Sequence, residues 1–335
     1  MLPPLVSILT PFKDSALFLE DCLNSIINQT YSQWELLIVD DHSSDDSSTI
    51  VAAFAKKDPR IKVFKNSGQG IIEALKIAFK NSSGEYITRM DSDDLMATNK
   101  LETMVQNLKT HGKGHVALAL VSYFCEGDLG DGYKNYEQWL NRLTKTGANY
   151  TEIYKECVIP SPCWMVHRDD LMACGGFESA VYPEDYDLAF RFYKYGLQCI
   201  PSEHILHHWR DYSTRTSRTD EHYADNRFLT LKLNYFLELD RNSDHALVLW
   251  GAGFKGKFCA KFLKKHKVPF IWICNNPKKI GKHIYDNELQ AVSALNDVIQ
   301  PQVIVTVANK ISQKRITGIL ENQDLGKAKD YFFFC

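Results

Sequence analysis

Short apolar runs alternate with amphipathic stretches from the first residues onward, and this alternation restricts the chain to one class of architecture. Residues 5–11, 34–39, 61–64, 85–90 and 115–124 read as strands, the first two as buried apolar runs. Between them lie a helix that Asp14 or Ser15 can cap, a helical stretch over 45–57 closed by Asp58-Pro59, a helix over 71–81 after Gly68 and Gly70, and another over 100–111. Such alternation predicts an α/β fold, a doubly wound, mostly parallel sheet with helices on both faces. Ligands of these sheets bind beyond the carboxyl ends of the strands. Asp40-Asp41 and Asp91-Ser92-Asp93-Asp94 both fall there.

Residues 126–160, rich in Gly, Tyr and Asn with weak helical periodicity, read as an excursion beside the site rather than as core. A strand over 163–166, the turn Gly175-Gly176-Phe177, a helix over 184–195, strands over 198–201 and 204–209 and a long helix over 220–239 follow. The polar run Asp240-Arg241-Asn242-Ser243-Asp244 then marks a boundary, so that residues 1–240 are expected to form the first domain and 241–335 the second. The second opens with a strand over 246–250, the turn Gly251-Ala252-Gly253 and a helix over 254–265 whose inner face is expected to carry Phe254, Phe258 and Phe262. With strands over 269–274 and 303–307 it predicts a smaller Rossmann-like α/β domain.

Charge divides the same way. The chain is −2 overall, but from Asp244 onward 14 Lys and Arg face 7 Asp and Glu, a net +7, which leaves −9 for residues 1–243. The total argues against a nucleic-acid binder. The basic half is compatible with peripheral association at an anionic membrane surface, although the solvated face of the 254–265 helix accounts for much of it. The longest apolar stretches fall short of the ~20 residues of a membrane span. The start lacks a basic, cleavable leader, so the expected location is the cytoplasm, at the inner face of the membrane where the acceptor is lipid-linked. Nine cysteines without a Cys-x-x-Cys pair fit neither a disulfide framework nor a zinc site.

Three acidic groups could carry chemistry. Asp91, Asp93 and Asp94 repel one another unless a cation is present, and a hard divalent ion prefers such oxygen ligands. A helix cap is the other reading of that cluster. Asp40-Asp41 could accept hydrogen bonds from a nucleobase or ribose, or simply close a turn. Glu184-Asp185 opens a helix, where an ionised carboxylate can serve either as a cap or as a general base toward a hydroxyl.

Taken in order, these pieces resemble the inverting family 2 glycosyltransferases of the GT-A fold over roughly residues 5–215. The resemblance rests on Val6-Ser7-Ile8-Leu9-Thr10-Pro11-Phe12, on Ser25-Ile26-Ile27-Asn28-Gln29-Thr30-Tyr31 leading to Trp34 through Asp41, and on Asn66-Ser67-Gly68. It continues through Asp91-Ser92-Asp93-Asp94, Gly175-Gly176-Phe177, Glu184-Asp185 with Arg191, and Trp209-Arg210. It implies a nucleotide-diphospho-sugar donor, uridine-linked as first choice, and a glycan or lipid-linked acceptor in surface polysaccharide synthesis. Asp41, with Asp40 beside it, is similar to the base-binding carboxylate, and Pro11 and Asp14 would line that pocket. Asp91 is similar to the ribose-contacting acid, Asp93 to the ligand of Mn²⁺ or Mg²⁺, and Asp185 to the catalytic base.

The sequence departs from the pattern at three points. His42 stands where the first loop usually has Gly, Tyr212 where a His is common, and Lys76 where Arg is usual. An imidazole contact to metal or diphosphate would then come from His207 or His208, or be absent. Gly251-Ala252-Gly253-Phe254-Lys255-Gly256 satisfies Gly-x-Gly-x-x-Gly, but Ile273-Cys274-Asn275-Asn276 offers no acid where NAD binding wants one. A nicotinamide-dependent sugar oxidoreductase and a non-catalytic glycan- or nucleotide-binding scaffold are the alternative functions. The appended basic domain is also compatible with a homo-oligomer.

Overall fold

The computed structural model describes residues 3–213, 215 and 228–335. They form two compact units, the first made of residues 3–149 and 158–215, the second of residues 150–157 with 228–335.

In the first unit, β1 (Val6–Phe12) and β2 (Trp34–Asp40) are buried at every position, as strands covered on both faces must be. They pair in parallel with each other, β2 pairs with β3 (Ile61–Lys65), and β1 pairs with β4 (Tyr86–Arg89). A short β5 (Leu95–Met96) follows β4. The apolar run over 115–124, expected as one strand, is two. β6 (His115–Leu118) and β7 (Leu120–Phe124) lie in different sheets: the Ala119 amide still donates to the Cys163 carbonyl beside the strand over 164–167, whereas the next amide, of Leu120, donates to the His204 carbonyl on the other sheet.

With β8 (Trp164–His167) and β9 (Gln198–Ile200) the main sheet runs β3-β2-β1-β4-β8-β6-β9, parallel except that β8 is antiparallel to both neighbours. β10 (Ile205–Arg210) lies between β5 and β7 in a three-stranded sheet. Its register sets His207 opposite Met96 and His208 opposite Leu95, which carries His207 and Arg210 to the loop that holds Asp91 to Asp94.

Helices α1 (Ala16–Ile27), α2 (Ser47–Lys57), α3 (Ile71–Lys80) and α4 (Lys100–His111) cover the sheet. α1 buries Leu19, Cys22, Leu23 and Ile26 on one stripe. Neither Asp14 nor Ser15 caps it through a side chain; the Ala16 amide instead donates to Asp45 Oδ2, so the second loop closes the first helix. The stretch read as an excursion contains a four-turn amphipathic helix, α5 (Asp131–Thr146), burying Leu140, Leu143 and Thr144. Its mean composition is polar, which hid a regular spacing of few apolar residues. α6 (Arg168–Ala173) and α7 (Glu184–Tyr195) complete the unit, α7 with the expected bounds.

The second unit is a six-stranded sheet in which residues 246–250, 271–274, 287–291, 301–305 and 331–333 pair in parallel and His283–Ile284 adds an antiparallel edge. Trp250, Val248, Ile273, Val303, Val305, Ile316, Leu320 and Tyr331 form its core. The helix Phe254–Lys265 has its expected bounds but a different phase: Gly256, Cys259, Ala260 and Leu263 face inward, and Phe254 is 69% exposed. A Cβ on Gly256 would stand 2.0 Å from the Gly251 carbonyl oxygen, and this backbone crossing, rather than the phenylalanines, sets the rotation. Of the helix expected over 220–239, Leu229–Tyr235 and the π turn Phe236–Asp240 are helical, and 220–227 lies outside the described residues.

Candidate active site

Three loops meet beyond the carboxyl ends of β1, β2 and β4, and serine hydroxyls join them. Ser15 Oγ is 2.8 Å from Ser92 Oγ, the Ser15 amide donates to Ser47 Oγ, and the Ser44 amide and hydroxyl donate to Asp14 Oδ1. Pro11 is buried in β1 opposite Val39. Asp14 is exposed, with φ 46°.

Asp40 and Asp41 do different work although adjacent. Asp40 turns inward, accepting from the Ser43 amide at 2.9 Å and from Ser48 Oγ at 2.5 Å. Burial opposes its charge, but those hydrogen bonds outweigh it and hold the carboxyl below its ordinary range. Asp41 reaches across to the loop after β3, accepting from Asn66 Nδ2 at 2.6 Å and from the Gly70 amide at 2.9 Å. His42 has φ 62°, the left-handed region that glycine occupies freely and histidine visits more readily than most residues. The turn is therefore kept despite the substitution, and His42 Nε2 lies 2.8 Å from the Gly68 carbonyl oxygen.

The cluster after β4 is held by cations and hydroxyls. Asp94 is fully buried, accepting from the Arg210 amide at 2.8 Å and pairing with His207 Nε2 at 3.0 Å. Lys100 Nζ, also buried, lies 3.2 Å from His207 Nδ1 and donates to the Pro162 carbonyl. An ammonium can only donate, so Nδ1 accepts and the ring proton sits on Nε2, facing Asp94. Both ring nitrogens are thus taken, and burial together with Lys100 drives His207 well below the ordinary histidine range. His207 is not available to a metal. Asp93 accepts from the Tyr212 hydroxyl at 2.9 Å, so the residue standing where a His was expected still bears on this carboxylate. Lys76, a candidate for phosphate, pairs with Glu73 on its own helix at 2.8 Å.

Arg89 joins this cluster to the start of α7. Its guanidinium is 1% exposed, with Nη2 3.3 Å from Asp91 Oδ1 and Nη1 3.0 Å from Glu184 Oε1. Next to Glu184, Asp185 accepts from the Tyr186 amide at Oδ1, and Ser161 Oγ lies a longer 3.4 Å from Oδ2. Burial and the neighbouring Glu184 push the Asp185 carboxyl up to about 7, with Arg89 pulling the other way. Burial likewise lifts Asp91 to about 7 against the pull of Arg89, with Asp94 and Asp93 adding to the rise. Arg191, by contrast, has a scaffolding part: it pairs with Asp187 and donates to the carbonyls of Cys174 and Gly176, locking the Gly175-Gly176 turn.

Among the described residues no three His, Cys, Asp or Glu side chains converge on a metal position. The donor set still suits Mg²⁺ or Mn²⁺, which take one or two protein carboxylates and complete their shell with water and substrate phosphates. Asp91 and Asp93 are both raised chiefly by burial and by like charge, a local excess of negative charge that such an ion relieves.

Arg89 and Arg215 escaped the sequence reading. Arg89 had a signal, a charged residue ending an otherwise buried strand, where a lone charge is costly unless paired. Arg215, which bears on Asp94, Asp93, Tyr123 and Asp91, had none.

Comparison with known proteins gives the following. The model of the family described as glycosyl transferase family 2 matches residues 7–175. The Escherichia coli UDP-Glc:alpha-D-GlcNAc-diphosphoundecaprenol beta-1,3-glucosyltransferase WfgD is 39% identical over 191 residues, 55% of this chain and 68% of that protein. The first curated relatives it matches are spanned over only about a fifth to a half of their own length. Among solved structures, Staphylococcus aureus TarS 1–349 in complex with UDP-GlcNAc superposes with a TM-score of 0.56 at 18% identity, covering 78% of this chain and 72% of that one. The Pyrobaculum calidifontis mannosyltransferase PcManGT, in complex with GDP-Man and Mn²⁺, gives 0.54 at 19% identity, over 71% and 64%. Both show the same α/β fold.

Proposed function

Because the chain belongs to glycosyl transferase family 2, we propose that it transfers a sugar, with inversion, from a uridine-diphospho-sugar to a hydroxyl of a glycan or lipid-linked acceptor in surface polysaccharide synthesis. The reaction depends on Mn²⁺ or Mg²⁺ and takes place in the cytoplasm, at the inner membrane face. The bound donors of TarS and the named donor and acceptor of WfgD support this reading, as does the Mn²⁺ of PcManGT. No described helix is long and apolar enough to cross a membrane.

One observation carries the proposal: a single guanidinium, that of Arg89, pairs with Asp91 after β4 and with Glu184, the neighbour of Asp185, at the start of α7. Asp14, Asp41 and Pro11 receive the base and Asp91 the ribose. A divalent ion would be held by Asp93 and would supply Lewis-acid stabilisation of the departing diphosphate. Asp185 acts on the acceptor. Its Oδ2, the less engaged oxygen, takes the hydroxyl proton as the acceptor oxygen bonds to the anomeric carbon, and the bond from that carbon to the diphosphate breaks with its electron pair leaving on the diphosphate. A carboxyl near 7 suits a base working at neutral pH.

Titration calorimetry with UDP and with GDP, each with and without Mn²⁺, tests the donor half. The expected result is manganese-dependent binding of UDP, weakened at least tenfold in Asp93→Asn. Binding of GDP instead would overturn the base assignment, and binding of neither would overturn the site. For the oxidoreductase alternative, the segment where NAD binding wants an acid offers Asn275, whose Oδ1 already accepts from Trp250 Nε1.

A further inference from the structure

The second unit contains a cleft of about 350 Å³ lined by Gly251, Gly253, Asn275, Asn276, Lys279 and Arg315, with Ile316 and Ile319 on its apolar side. It lies beyond the carboxyl ends of strands 246–250, 271–274 and 301–305. The chain leaves 246–250 toward 271–274 on one side and later returns to 301–305 on the other, so the cleft is at the point where strand order reverses. Open α/β sheets bind ligands there.

The polar groups of the cleft mostly donate. Among the described residues no carboxylate lines it. Lys279 Nζ donates one bond to the Ala252 carbonyl at 2.7 Å and keeps two donors. Arg315, on the helix Lys310–Glu321, makes no side-chain hydrogen bond or ion pair with the described residues. Asn275 Oδ1 accepts from Trp250 Nε1 and Asn276 Oδ1 from the Lys278 amide, which leaves their amide nitrogens as donors. Ser312 directs its hydroxyl proton to Asn309 Oδ1. Such a lining matches an anion.

The glycines separate fold from ligand. Gly251 has φ 126°, and a Cβ there would meet Thr306 Oγ1 at 2.5 Å; Gly256 is fixed by the backbone crossing. Gly253 has an ordinary extended φ of −82° and nothing within 4 Å of where its Cβ would sit. The fold does not require a glycine at 253, and a larger side chain there would grow from a residue that lines the cleft. Phe254 and Ile311, adjacent in sequence to lining residues, are 69% and 66% exposed and offer an apolar rim.

We propose that this cleft is a second ligand site, taking a nucleoside phosphate whose phosphate group lies between Lys279 and Arg315. Ligand pockets span about 300–1,000 Å³, so its size suits a mononucleotide rather than a dinucleotide.

The test is calorimetric titration of the full chain in EDTA with UMP, AMP and inorganic phosphate, and co-sedimentation with phosphatidylglycerol vesicles. Saturable binding of a nucleoside monophosphate is expected, at least tenfold weaker in Gly253→Val and in the Lys279→Ala, Arg315→Ala double variant, and unchanged in Asp93→Asn. No binding of any soluble probe overturns the site, as does binding that both cleft variants retain or that Asp93→Asn removes. Binding to vesicles alone would assign the cations to a membrane-facing surface and overturn it too.

Discussion

Asp185→Asn is expected to lower sugar transfer by ~10²–10⁴-fold, the contribution of a positioned general base, while nucleotide affinity stays within about twofold. The substitution keeps the shape of the site, since an amide oxygen still accepts from the Tyr186 amide as Oδ1 does now. What it removes is the ability to take a proton. Release of UDP from the donor, with acceptor or with water in its place, measures the loss. The pH profile is a second, independent readout. Asp185 is raised to about 7 chiefly by burial, then by Glu184, against the pull of Arg89, with Asp91 adding to the rise. The base works only when ionised, so wild-type turnover should climb tenfold per unit below about 7 and level off above it. The residual rate of the variant should lack that step. A variant that keeps more than a tenth of wild-type turnover would remove Asp185 from this role.

The same raised carboxyls carry a stability consequence. In the folded state Asp91 and Asp185 hold their protons to about 7, far above an unfolded aspartate, so the folded state binds more protons between pH ~4 and 7. Stability contributed by these groups is therefore present at low pH and lost as pH rises through that window.

How much of this was legible beforehand follows from the range of the interactions involved. The bounds of α4, α7 and the 254–265 helix could be read because their start and stop signals lie within a few residues of them. The acidic clusters could be placed at strand ends for the same reason. What local pattern could not show was which carboxylate faces which partner. Asp40 and Asp41 are neighbours with one signature, yet Ser43 and Ser48 draw the first inward while Asn66 and Gly70, about 25 residues on, draw the second across the sheet. The phase of the 254–265 helix was misread because apolar side chains were counted and a backbone crossing at Gly256 was not. The break at Ala119 and the union of residues 150–157 with the second unit are likewise made by partners far away in sequence. Within that segment Lys155 approaches Gln313 and Tyr154 stacks on Phe334 at 5.2 Å, contacts no window of sequence contains.

Arg89 is the residue on which these long-range relations converge, and Arg89→Met should have the largest effect on stability and on the pH profile together. Its side chain is buried against two carboxylates, Asp91 at 3.3 Å and Glu184 at 3.0 Å, and its Nε has no hydrogen-bond partner among the described residues. A guanidinium left partly unsatisfied in the interior adds little net stability by its presence. Its removal is another matter, because the buried Glu184 and the partly buried Asp91 then lose their counter-charge, a change that typically costs ~3–5 kcal/mol for a buried pair. At ~2–4 °C per kcal/mol for a domain of this size, the melting temperature should fall by on the order of 10 °C. Protonation limits the damage at low pH, so the loss should be smaller at pH 5 than at pH 8. A purely structural residue would stop there. Arg89 also lowers the pKa of Asp185, so the variant should show its rise in turnover at higher pH than wild type. Arg89→Lys separates the two effects: an ammonium supplies the charge but not the two-pronged contact, and should return the pH midpoint toward the wild-type value while leaving much of the thermal loss. An unshifted midpoint in Arg89→Met would mean that the guanidinium holds the two halves of the site together without tuning the base.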